Sequence, residues 1–97
     1  DLVYTAGVLI HINPKDLKQA MSEIYRTSAK YIWGYEYYNP KHKIINYRGN
    51  ENRAWKGDFC KLYMDYFPHL KLVKKHRLKY LSSDNLDEMF LLKNEEV

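Results

Sequence analysis

Glu36, Tyr37 and Tyr38 stand in a row just before Asn39 and Pro40. A carboxylate beside two phenols can accept hydrogen bonds from sugar hydroxyls, or take a proton from an attacking group. A few residues on, Tyr47 and Arg48, followed by Arg53, pair a ring that can stack with guanidinium forks suited to phosphate or carboxylate. Near the start, Thr5, Ala6 and Gly7 lie within an apolar run, where a glycine lets a ligand approach the backbone closely. His11, four residues further, is a residue type that orients substrates or serves as a base. Each of these has a plain structural alternative. Gly7 can be a strand-to-loop turn, His11 a hydrogen-bonded structural residue, and Trp33 and Tyr37 core aromatics.

Other chemistries find less support. Cys60 is the single cysteine, which excludes an internal disulfide and a cysteine-cluster zinc site and fits a reducing, cytoplasmic compartment. No histidine is paired with it in the sequence pattern, so a passive thiol is expected rather than a nucleophile. His42, His69 and His76 are scattered, and no metal site is expected. The net charge of +4 is local: Lys41, Lys43, Arg48, Arg53 and Lys56 face only Glu51 between Asn39 and Lys56. A second run, Lys71, Lys74, Lys75, Arg77 and Lys79, contains no acid. Two cationic surfaces point to an anionic small-molecule substrate. The interleaving of Tyr47, Arg48, Arg53, Trp55 and Lys56 also suits single-stranded nucleic acid, although no nucleic-acid-binding signature accompanies it.

The elements that must position these residues follow from periodicity. Ninety-seven residues hold one domain, burying roughly 65% of the unfolded surface. Leu2 to Ile10 is almost continuously apolar and predicts a strand covered on both faces, as in a parallel sheet. Asn13 caps a helix that begins at Pro14, carries Asp16 in its first turn and ends near Arg26 to Ser28. Leu17, Ala20, Met21, Ile24 and Tyr25 form its one apolar face. Tyr31 to Tyr37 predicts the next strand, completing a right-handed βαβ crossover. Asn39 to Gly57 has no sustained period and reads as a long functional loop. Asp58 caps a second helix with Phe59, Leu62, Tyr63, Tyr66 and Phe67 on one face, stopped by Pro68. Leu70 to Leu81, a turn over Ser82 to Asp87, and Met89 to Leu92 then predict an antiparallel hairpin. The fold class is therefore α/β, in the order strand, helix, strand, loop, helix, strand, strand. The longest apolar run stops at His11, far short of the ~20 residues of a membrane span.

Taken together, Gly7 to Pro14 (GVLIHINP) and Ala20 to Pro40 (AMSEIYRTSAKYIWGYEYYNP) resemble the second half of class I S-adenosylmethionine-dependent methyltransferases. More narrowly, the chain is similar to the methylases associated with pseudaminic acid biosynthesis. Tyr47 to Gly49, Lys56 to Phe59 and Phe90 to Lys93 carry the likeness along the rest of the chain. The resemblance implies the C-terminal half of a Rossmann-like sheet: its fourth and fifth strands, then a closing antiparallel hairpin. It implies that Thr5, Ala6, Gly7 and His11 border the cofactor and that Glu36, Tyr37, Tyr38, Tyr47, Arg48 and Arg53 border a nucleotide-linked or acidic sugar. None of the four glycines forms the GxGxxG turn that holds such a cofactor. Residues 1–97 are thus expected to be a single partial domain that lacks the cofactor-binding N-terminal half. S-adenosylmethionine belongs to the complete enzyme, and the chain alone is expected to bind none and to be inactive. Its expected partner is the missing half, or a second copy joined through the Leu2 to Ile10 strand, whose open edge would otherwise invite pairing. The competing readings are the single-stranded nucleic-acid module and a non-catalytic oligomerisation module.

Overall fold

The computed structural model describes residues 2–27, 30–47, 50–79 and 86–96. Strand β1 (Leu2–Ala6) leads through a 3₁₀ turn (Leu9–His11) into helix α1 (Pro14–Thr27). Strand β2 (Tyr31–Tyr38) follows, then β3 (Lys43–Tyr47), β4 (Asn50–Lys56), helix α2 (Phe59–Tyr66), β5 (Leu70–Lys79) and β6 (Leu86–Asn94). Four strands form one mixed sheet in the order β1-β2-β6-β5, and β3 and β4 form a separate antiparallel pair. β1 runs parallel to β2, as a helical crossover requires, and β6 runs antiparallel to both of its neighbours.

Local chemistry explains the boundaries. The Asn13 side chain accepts a hydrogen bond from the Lys15 amide, so α1 starts at Pro14 with one of its first amides satisfied. Asp58 does the same for α2 by accepting from the Lys61 amide at 3.1 Å. In β2, Ile32, Gly34 and Glu36 are buried and alternate with half-buried residues, the period of two expected of a strand. Register places Ile32 opposite Leu92 and Gly34 opposite Phe90. These side chains meet Leu17 and Met21 of α1, and Phe59, Cys60 and Tyr63 of α2, so both helices cover the same face of the sheet. Gly34 makes room there: a β-carbon on it would overlap the tip of the Phe90 ring.

Three expectations need correction. The apolar run from Leu2 to Ile10 is not one strand: β1 ends at Ala6, Gly7 turns the chain with φ +67°, and Leu9 and Ile10 enter the core from the 3₁₀ turn. Nor is β1 covered on both faces, since Leu2 and Tyr4 are exposed. It is an edge strand among the described residues, with one side of its backbone facing away from the sheet. The stretch from Asn39 to Gly57 is not a loop throughout, because β3 and β4 pair within it and Gly57 bridges to Tyr38. The last strand also starts earlier than expected. Leu86 and Asp87 belong to β6 rather than to a turn, while residues 82–85 of that expected turn lie outside the described residues.

β5 is the other edge. Nine of its ten residues are exposed, and its five cations make it a poor template for further pairing. Among the described residues no helix is long and apolar enough to cross a membrane.

Candidate functional site

In open α/β sheets, ligands bind beyond the carboxyl ends of the parallel strands. The two parallel strands here are β1 and β2, and a cleft of about 370 Å³ lies at their carboxyl ends. Ala6, Gly7, His11, Glu36 and Tyr37, all singled out by sequence, line it together with Asp87. Gly7 earns its place through its positive φ, a conformation that other residues adopt at a cost. Its amide continues the ladder by donating to the Tyr35 carbonyl at 2.9 Å. The chain can then reverse at the end of β1 and leave the cleft open above β2.

Glu36 fastens this arrangement. It is only 2% exposed, and its Oε2 accepts from the Thr5 hydroxyl at 2.7 Å and from the Val8 amide at 3.4 Å. Burial pushes its carboxyl above the usual range, while the Thr5 hydroxyl and the amides of Leu9, Val8 and Ile10 pull it part of the way back. One carboxylate therefore ties β1, the start of the 3₁₀ turn and β2 together at the rim of the cleft. Its other oxygen, Oε1, is buried with no hydrogen-bond partner among the described residues.

A polar row continues from Glu36 across the sheet. Register places it opposite Glu88, which stands opposite Arg77. Arg77 donates through Nε to Glu88 Oε2 at 2.8 Å and lies over the Tyr38 ring with 4.0 Å between Cζ and the ring centre. Burial raises the Glu88 carboxyl, and Arg77 opposes that shift. Tyr38 is thus engaged as a platform for Arg77 beside the row rather than as part of the cleft wall.

The remaining sequence candidates are placed less centrally. Thr5 is buried beneath the cleft and acts through Glu36. Tyr47 and Arg53 are described by their backbone alone, in β3 and β4, and Arg48 lies outside the described residues. Trp55 is 6% exposed and is closed to a stacking base. Cys60 is fully buried and its thiol is pushed up to about 12, first by burial and then by Glu88, which leaves no reactive thiolate. Asp87 was not among the sequence candidates, nor was Tyr35, whose hydroxyl bonds to it.

Comparison with known proteins finds no family model, no curated protein and no solved structure that matches the chain.

Proposed function

We propose that this chain supplies the acceptor side of an S-adenosylmethionine-dependent methyl transfer to a sugar, within the C-terminal half of a class I methyltransferase sheet. The observation that carries the reading is the cleft at the carboxyl ends of two parallel strands, formed by residues that the family resemblance implies for cofactor and acceptor. The strand order adds support. Two parallel strands joined by a helical crossover, then a closing antiparallel hairpin, is the arrangement that the resemblance implies, and β1, β2, β5 and β6 are compatible with it.

Methyl transfer needs the acceptor held in line with the sulfonium, and positioning supplies most of what such a site must do. Glu36 holds the Gly7 to Ile10 segment in place, and His11 and Tyr37 form the wall against which an acceptor ring would rest. S-adenosylmethionine would supply the methyl group at the edge near Gly7, and its tight binding needs a glycine-rich turn that residues 1–97 do not contain. The basic segment from Asn39 to Lys56 suits the nucleotide or acidic portion of the acceptor. The partner in this reading is a polypeptide carrying that turn, or a second copy of the chain, paired along the open edge of β1 in the cytoplasm. The nucleic-acid alternative loses Trp55 as a stacking surface.

Amide shift mapping tests the reading. Titration of ¹⁵N-labelled chain with UDP-N-acetylglucosamine should move Gly7, His11, Glu36 and Tyr37. Shifts confined to β5 that appear with single-stranded oligonucleotides, and vanish steeply with salt, would overturn it in favour of nucleic acid.

A further inference from the structure

Both helices pack on one face of the four-stranded sheet, and no helix covers the other among the described residues. Ile32, Gly34 and Glu36 are buried towards the helices, so alternation puts Tyr31, Trp33 and Tyr35 on the open face. The register extends these into rows across the sheet. Tyr4, Trp33, Leu91 and Lys74 stand side by side on β1, β2, β6 and β5. One row nearer the carboxyl end of β2 come Tyr35, Met89 and His76, and one row nearer its start come Tyr31, Lys93 and Lys71. A groove of about 250 Å³ opens here, with Trp33, Met89, Leu91, Lys74 and His76 among its lining residues.

The charge around this groove is unbalanced. Like charges directly opposite each other on paired strands destabilise a sheet, yet Lys71 faces Lys93 across the β5–β6 ladder. Lys74 belongs to the neighbouring row, and Lys30, at the same end of the sheet, holds its ammonium 5.7 Å from the centre of the Tyr31 ring. None of these four lysines enters an ion pair among the described residues. The one acid that the four strands place on this face is Asp87, six residues before Lys93 on β6 and thus roughly 20 Å away. It is 6% exposed and already bonded to the Tyr35 hydroxyl. Beside the lysines lies aromatic surface: Trp33 is half-buried, with the Tyr4 ring centre 6.1 Å and the Tyr35 ring centre 6.2 Å from its own.

We propose that this groove is a second ligand site and takes a nucleoside phosphate, its base over Trp33, Met89 and Leu91 and its phosphate among Lys71, Lys74 and Lys93. A phosphate monoester carries about −1.5 to −2 charges at neutral pH and offers three acceptor oxygens, which answers a group of lysines better than a single carboxylate does. A base supplies the flat, stackable surface that the indole and the two aliphatic side chains accommodate. The cations gather at one corner of an apolar slot, which suits a small ligand with one anionic end. The groove shares no lining residue with the cleft at the ends of β1 and β2. Trp33 lies four residues before Tyr37 on β2, roughly 13 Å away, so the proposal does not depend on what the cleft binds.

Three probes test this, each titrated into the ¹⁵N-labelled chain at neutral pH and low salt: AMP, adenosine and ribose 5-phosphate. AMP is expected to shift the amides of Trp33, Lys74 and Leu91 at a concentration about tenfold below that needed for either fragment. Lys71→Gln should cut the preference for AMP over adenosine to about threefold or less. Trp33→Leu should weaken AMP about tenfold and leave ribose 5-phosphate unchanged. Lys71 is exposed, so its variant reports even if Trp33→Leu does not fold. Adenosine binding as tightly as AMP would overturn the phosphate assignment, and ribose 5-phosphate doing so would overturn the base assignment. A short oligoadenylate binding more than about a hundredfold tighter than AMP would overturn the site in favour of a nucleic-acid strand. Shifts of these amides with protein concentration alone, and none with AMP, would give the face to a second copy of the chain instead.

Discussion

Gly34→Ala probes the packing that sets β2 against β6 and so places Glu36 beside Glu88. A β-carbon at position 34 would overlap the tip of the Phe90 ring, and Phe90 is itself buried against Tyr63. Overpacking of this kind costs about 1–3 kcal/mol. The substitution also recovers about 0.5–1 kcal/mol because alanine loses less backbone freedom on folding than glycine does. The net expectation is a loss of about 1–2 kcal/mol. With a urea m-value of about 1 kcal/mol/M for a chain of this size, the midpoint should fall by about 1–2 M. Phe90→Leu removes the obstructing ring atoms, at its own cost in buried area. In that background Gly34→Ala should become neutral or stabilise by about 0.5 kcal/mol, giving a coupling of about 2 kcal/mol in the double-mutant cycle. Urea unfolding followed by tryptophan fluorescence measures all four corners, provided that m stays constant. Equal destabilisation by Gly34→Ala in both backgrounds would refute the claim that the Phe90 ring is what the glycine accommodates.

Three further outcomes are expected. Thr5→Val removes a hydrogen bond to a buried carboxylate and should cost about 1.5–3 kcal/mol, with amide shifts concentrated at Gly7 to Ile10; a change below about 0.5 kcal/mol would mean that Glu36 is held by other groups. Stability should decline as pH rises above about 4.5, because the raised carboxyls of Glu36 and Glu88 hold their protons more strongly in the folded chain than in the unfolded one. The favourable contribution is complete below that unfolded pKa and is lost as pH climbs through the folded values; Glu36→Gln should flatten the slope, and an unchanged slope would contradict the assignment. Cys60 should react with a disulfide reagent only through unfolding, so that its rate climbs with urea, whereas rapid labelling without denaturant would place the thiol at the surface.

Much of the fold was legible because strong local signals coincided. Asn13-Pro14 and Asp58 mark helix starts by the capping chemistry that the structure uses. The apolar faces built on Leu17 and Met21, and on Phe59 and Tyr63, are the faces that reach the core. The β3 and β4 pair was hidden because its strands are rich in Asn, Lys and Arg, so charge obscured the alternation. Leu9 and Ile10 misled for a different reason: a continuous apolar run looks the same whether it enters the core as a strand or as a 3₁₀ turn, and only the φ of Gly7 separates the two. At the cleft, residue types identified Ala6, Gly7, His11, Glu36 and Tyr37, which the two strand ends then gather. What no spacing could reveal is that the Glu36 carboxylate is buried and already tied to Thr5 and Val8. Asp87 was masked by the polar stretch Ser82-Ser83-Asp84-Asn85 before it, which made a turn the natural reading. Its position opposite Tyr37 depends on the register of β2 with β6 and is a tertiary fact.

The central claim is that a sugar ring sits at the carboxyl ends of β1 and β2. Intermolecular nuclear Overhauser effects between glucosamine ring protons and the side chains of the chain measure this most directly. Cross-peaks to the His11 and Tyr37 rings and to Ala6 are the expected result. Cross-peaks instead to Tyr4 and Trp33, which contact each other further back along β1 and β2, away from their carboxyl ends, would contradict it.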